Sequence, residues 1–215
     1  SISIEISTKK VKPQFLGKML PRNGYSYNFK YAYEFNYFMD GFSIDEEYGT
    51  FGSVLKPNNT ARMNLEFRYF NNIFKNINAE LSTNIGILSN NDIDDFFYFF
   101  GGGLPGIKGY TFYESDLTGP SIMVNTLTFR SLILKESFIN FIDYLDFNKL
   151  SLGLVVQFGN VFDSNSKDFI NDMKYSSGIE IRAKGFMFYG YPAALTAEHH
   201  FALIDQSETK GKTYL

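Results

Sequence analysis

Residues 25–37 read YSYNFKYAYEFNY, so seven aromatic side chains occupy every second position, with Ser26, Asn28, Lys30, Ala32, Glu34 and Asn36 between them. Side chains two apart share a face of an extended chain, whereas a helix would bring i and i+4 together and mix rings with amides and charges. The segment is therefore a β-strand with one ring-covered face and one polar face. In that conformation it reaches about 40 Å, long for a strand of a β-sandwich.

The same alternation recurs along the chain. Ile2, Ile4 and Ile6 oppose Ser3, Glu5 and Ser7. Met63, Leu65, Phe67 and Tyr69 oppose Arg62, Asn64, Glu66 and Arg68, and Ile77, Ala79, Leu81, Thr83, Ile85 and Ile87 oppose Asn78, Glu80, Ser82, Asn84 and Gly86. Leu150, Leu152, Leu154, Val156 and Phe158 oppose Ser151, Gly153, Val155, Gln157 and Gly159, and SGIEIRAKG alternates again, with FMFYGYPAALTAEHHF as the next strand. Residues 121–134 are strand-like without a clear assignment of faces. Residues 38–59 read as a polar, glycine-containing loop or irregular hairpin, and 143–149 as a short connector. The expectation is an all-β chain of eight or nine strands without a convincing helix.

Composition narrows what such a chain does. Among 215 residues there is no Cys, which excludes a disulfide framework, a thiolate metal site and a cysteine nucleophile. No uncharged apolar run is long enough for a transmembrane helix, since even SLILKESFINFIDYL is broken by Lys135, Glu136 and Asp143. The net charge of -3, with Lys and Arg scattered, gives no footprint for nucleic acid. The abrupt opening in a strand pattern, SISIEIST, suggests an internal or C-terminal piece of a longer mature protein.

Residues 92–119, DIDDFFYFFGGGLPGIKGYTFYESDLTG, are too long and too rich in glycine for a hairpin turn, and a connection of this kind usually has a function. A phosphate-binding loop is disfavoured because the glycine run lacks a Gly-Lys-Ser/Thr ending, and Gly211-Lys212-Thr213 lacks the run before it. Gly106-Ile107-Lys108-Gly109-Tyr110 resembles the Arg-Gly-Tyr/Phe motif in the long sixth extracellular loop of the Omp85 superfamily of surface antigens and barrel-assembly proteins. Residues 178–182, GIEIR, and 155–162, VVQFGNVF, are similar to two further strands of those barrels.

That resemblance implies an all-β, transmembrane antiparallel β-barrel, this chain supplying roughly the C-terminal eight strands of a 16-stranded wall in a bacterial outer membrane. It implies that residues 92–119 fold into the lumen, and that the function is insertion or translocation of polypeptides, or alternatively that of a non-catalytic anchor plugged by its loop within a larger envelope complex. Outer-membrane lipid, envelope proteins or polypeptide substrates would be the partners, with no nucleic acid, cofactor or metal. Lys108 stands where arginine is usual, Gln157 where aspartate is usual and Thr128 where glutamate is common, so both sides of the family's charged clasp are softened. A lysine supplies a point charge in place of a bidentate fork. Lys108 is expected to reach Glu180, which alternates with Ile179 and Ile181 beside Arg182, or a nearby oxygen of the wall. Arg62, Glu66, Arg68 and Glu80 would line the lumen, their mixed signs arguing against strong ion selectivity.

Candidate catalytic groups are sparse. His199 and His200 are adjacent on a strand, so they point to opposite faces and do not readily share a metal or a dyad. Asp92, Asp94 and Asp95 lack the spacing of a calcium loop, and Asp45, Glu46 and Glu47 read as a loop charge cluster. No triad or carboxylate pair is assigned, and no enzyme is expected.

Overall fold

The computed structural model describes residues 1–12, 23–44, 47–74, 76–90, 93–142, 145–163, 172–188, 190–203 and 211–215. Nine strands form one antiparallel sheet: β1 (Ile2–Lys12), β2 (Asn23–Ile44), β3 (Phe51–Phe74), β4 (Ile77–Leu88), β7 (Ser121–Ile142), β8 (Leu145–Phe162), β9 (Lys174–Met187), β10 (Tyr191–Ala202) and β11 (Lys212–Tyr214). They pair in that order, each with its neighbours in the chain except where the long segment between β4 and β7 intervenes. That segment carries the two-residue strands β5 (Phe99–Phe100) and β6 (Thr118–Gly119), which pair with each other.

Register shows how the alternation acts. Asn28, Glu66, Asn84, Val124 and Gly159 stand side by side across β2, β3, β4, β7 and β8, and Phe29, Leu65, Ile85 and Met123 form the adjacent row on the opposite face. The uncertain faces of β7 resolve with Val124, Thr126, Thr128 and Arg130 on the side of the amides and charges. The segment 38–59 is mostly strand, since β2 and β3 pair from Gly24↔Phe70 out to Ile44↔Phe51, with a bulge at Met39/Gly41. Of the expected connector at 143–149, Asp143 and Tyr144 lie outside the described residues and Leu145 to Lys149 belong to β8.

The closed barrel implied by the resemblance is not formed. Among the described residues β1 pairs only with β2 and β11 only with β10, so no ladder joins the first strand to the last and the sheet is open. Alternation dictates that a strand has two chemically distinct faces; it does not dictate that the sheet closes, which requires a specific pairing of its two edges. The glycine-rich segment therefore covers one face of an open sheet. No helix among the described residues is long and apolar enough to cross a membrane.

Burial follows from that cover. In β8, Ser151, Gly153, Val155, Gln157 and Gly159 are buried while Leu152, Leu154 and Val156 are exposed. Ile107, Tyr110 and Leu117 of the segment pack with Val124 of β7 and Val161 of β8 into a small apolar core against the mostly polar face. Burying such a side chain contributes about 1.5–3 kcal/mol. The aliphatic and aromatic face lies open, with Ile4 60 %, Leu154 58 % and Ile181 49 % exposed.

Candidate functional site

Two adjoining polar clusters lie on the same face of the sheet, and the one that ties the glycine-rich segment down depends on glycine for its geometry. At Gly106 an added Cβ would lie 2.0 Å from the Gly101 carbonyl oxygen, and Gly109 has φ +98° in close contact with the backbone of Ala202. Side chains are excluded at the first position by contact and strained at the second by conformation. Gly106 lets the segment close on its own backbone at Gly101, and Gly109 lets the turn of residues 106–110 lie directly on β10.

The turn is held through its backbone as well as its side chains. The Lys108 N–H donates to Gln157 Oε1 at 2.9 Å, while Gln157 Nε2 donates to the Gly106 carbonyl at 3.4 Å and to Thr126 Oγ1 at 3.0 Å. The Gly109 N–H donates to the Tyr214 hydroxyl at 3.1 Å, and the Tyr110 hydroxyl donates to the Tyr175 carbonyl at 3.0 Å. Ile107 is wholly buried and its N–H donates to the Gly101 carbonyl at 2.6 Å.

Of the two alternatives, Glu180 or a nearby oxygen of the wall, the Lys108 ammonium takes the second, pairing with Glu198 of β10. Glu198 Oε2 also faces His200 Nε2 at 3.0 Å, and Tyr214 stands opposite Glu198 in the β10–β11 ladder. Burial alone would raise the Glu198 carboxyl, but hydrogen bonds from His200 and Lys108, with the lysine charge, outweigh it and bring it from its ordinary 4.5 down to about 2. His200 is buried, whereas His199 points to the other face beside Thr213 and Phe201, so the strand separates the two imidazoles as the sequence implies.

Glu180 has other partners because Arg130 occupies the space in front of it. The guanidinium donates from Nε to Glu180 Oε1 at 2.7 Å and from Nη2 to Oε2 at 3.0 Å, and from Nη1 to Glu80. Arg182 Nη2 adds a contact to Glu180 Oε2 at 3.2 Å. Burial alone would lower the Arg130 pKa, but hydrogen bonding to Glu180 and the charges of Glu80 and Glu180 raise it, so the guanidinium stays charged. Glu180 and Glu198 are cross-strand neighbours. Like charges so placed repel; here each has its own cation, Arg130 for one and Lys108 for the other.

The remaining sequence candidates are dispersed over the same face. Thr128 is buried opposite Glu80. Arg62 donates to the Phe97 carbonyl at 2.6 Å, lies 4.7 Å from the centre of the Phe99 ring and faces Glu34 at 3.8 Å. Glu66 and Arg68 form an exposed pair at 3.8 Å. Asp94 caps a single 3-10 turn through the Phe96 N–H, while Asp45, Glu46 and Asp92 lie outside the described residues. No group of three or more His, Asp or Glu suited to a metal ion occurs among the described residues. Gly211-Lys212-Thr213 lies at the start of β11, with Thr213 bonded to His199.

Arg130, Glu198, His200 and Tyr214 are functional-face residues that sequence reasoning missed as partners. Their i, i+2 spacing in Thr126-Leu127-Thr128-Phe129-Arg130 and in Glu198-His199-His200 is the signal that places them there.

Compared with known protein families, the chain matches no family model, and no curated protein searched matches it in sequence. The resemblance to the Omp85 superfamily rests on short motifs without a family match, and the open sheet removes the barrel that would give those motifs their context. Assignment to that family is therefore corrected. So are the readings built on it: insertion or translocation of polypeptides, a plugged barrel anchor for an envelope complex, and an outer-membrane location.

Proposed function

We propose that the chain is a non-catalytic assembly module that binds a β-structured polypeptide through its uncovered apolar face and the free edge of β1. The observation that carries this is the inverted burial across β8 and β9: Glu180 and Ser176 are buried, whereas Leu154, Ile179 and Ile181 are about half exposed. Extended exposed apolar surface marks an interaction site. Its polar face is already occupied by the chain's own glycine-rich segment, so the open face is the one left for a partner.

The partner's chemistry follows from the edge. β1 exposes one side of its backbone with Ile2, Ile4 and Ile6 on the apolar face and Ser3, Glu5 and Ser7 on the other. A strand that also alternates apolar and polar residues extends both faces at once and satisfies the free backbone groups by strand addition. Nucleic acid is not the proposed partner, because among the described residues no cationic cluster covers the open face. A catalytic reading is not proposed either, since no nucleophile–base pair is found among the described residues.

Sedimentation and amide hydrogen exchange test this on the full chain. Association is expected to protect the β1 amides, and Leu154→Lys with Ile181→Lys is expected to abolish association without altering the far-ultraviolet dichroism. A chain that stays monomeric with unprotected β1 amides at all concentrations, alone or with an alternating strand peptide, overturns the proposal.

A further inference from the structure

We propose that the cavity between the glycine-rich segment and strands β2 to β4 binds a neutral sugar. The cavity measures about 460 Å³, within the range of small-ligand pockets. It is separate from the apolar face and from the Lys108 and Arg130 clusters, and the inference does not depend on the assembly role.

The floor is a set of amides held in register. Asn28 stands opposite Glu66 and Glu66 opposite Asn84, with Asn64 in the next row opposite Lys30. All of these line the cavity. A carboxamide offers two donors and an acceptor. The side-chain oxygens of Asn28 and Asn84 are buried and meet no protein donor among the described residues. A buried acceptor left unpaired is costly, and a hydroxyl resolves this in either orientation of the amide because it both donates and accepts.

The wall is aromatic. Phe100 and Phe112 are stacked with ring centres 5.2 Å apart and both line the cavity, Phe112 remaining 39 % exposed. Aromatic rings and a row of amides lining one cavity fit a pyranose, whose C–H face packs on apolar surface while its hydroxyls meet the amides. Charge gives an anion little to hold: among the lining residues Lys30 is the single cation and Glu66 the single carboxylate, and Arg62, outside the lining, is engaged by the Phe97 carbonyl and the Phe99 ring. A phosphate site would present converging cations in place of that balance.

Titration of the full chain by saturation-transfer NMR with maltose, cellobiose, lactose and N,N′-diacetylchitobiose, and with inorganic phosphate as the anionic probe, tests the site. At least one disaccharide is expected to bind with a Kd of about 1 mM or tighter, its C–H protons receiving the strongest transfer. Asn84→Ala and Phe112→Ala are each expected to weaken that binding about tenfold, and an unchanged far-ultraviolet dichroism and urea midpoint in the variants keep the test independent of folding. Failure of all four sugars to bind, binding of phosphate in their place, or sugar binding unchanged in the Asn84 and Phe112 variants overturns the proposal. These readouts do not involve β1 protection or self-association.

Discussion

The outer hairpin of β2 and β3 and the strand trio β8 to β10 are built from the same alternating pattern, yet their burial differs. Residues 51–57 of β3 are exposed at every position, and Phe42 and Phe51 are 71 % and 78 % exposed. From Ser151 to Gly159 of β8 and from Ser176 to Glu180 of β9 every second residue is buried, down to 0 % at Ser176. The hairpin has ladder hydrogen bonds and little else, a combination that is marginal alone in water. The trio has the same ladders plus a segment bonded across its polar face. Alternation thus creates two faces, and a cover chooses which of them becomes interior. Here that face is the polar one.

Arg130→Ala is expected to break this contrast most severely. It leaves Glu80 and Glu180 without their shared cation on the buried face of the sheet, and losing one partner of a buried ion pair costs about 3–5 kcal/mol. Urea denaturation measures it, with Tyr37→Ser on the exposed hairpin expected to change stability by less than about 0.5 kcal/mol. Equal effects of the two substitutions would erase the distinction between covered and bare regions.

Gly106→Ala sharpens the comparison at one atom. The added methyl meets the Gly101 carbonyl, and overpacking of that kind costs about 1–3 kcal/mol. Hydrogen exchange at the Lys108 and Gly109 amides, which donate to Gln157 and Tyr214, is expected to accelerate, while the β2–β3 ladder keeps its protection. Parallel loss of protection in both regions would mean that the cover and the hairpin unfold as one unit.

Much of the sheet is legible in the sequence because period-2 patterning is local: the faces of β1, β2, β3, β4 and β8 follow from counting by two. Closure is not local. It depends on whether the edges of β1 and β11 meet, and no residue in either strand encodes that alone. The same limit explains the site. Gly106, Lys108 and Gln157 stand out in the chain, and the two glycines justify a close approach to the sheet. The partner of Lys108 depends on how far the turn reaches across β8 and β9. Between Glu180 and a nearby wall oxygen the sequence leaves the choice open, and Arg130, on a strand whose faces looked ambiguous, decides it by taking both Glu180 oxygens. Glu198, directly across the ladder from Glu180, is the neighbour that receives Lys108.

The smallest effect concerns that strand and separates the cover's charge from its shape. Glu198 is held down at about 2 against an ordinary 4.5 by His200 and Lys108 despite its burial. A carboxyl whose folded pKa is depressed contributes stability above its unfolded pKa and loses that contribution as pH falls through its folded value. The covered region is therefore expected to weaken between about pH 4.5 and pH 2, with the glycine-rich segment losing exchange protection before the ladders of β8 and β9. Glu198→Gln keeps the side-chain length but removes the titration, so its urea midpoint should fall less steeply than the parent's across this window. The groups facing Glu198 are Lys108, His200 and Tyr214, with Glu180 across the ladder on β9. Lys108→Met removes one of the two side chains that hold Glu198 down while leaving the Lys108 N–H on Gln157, and should shift the loss of stability to higher pH. Identical acid profiles for the parent and both variants would assign the hold on the turn to its backbone hydrogen bonds and buried Ile107, with no contribution from the charge pair.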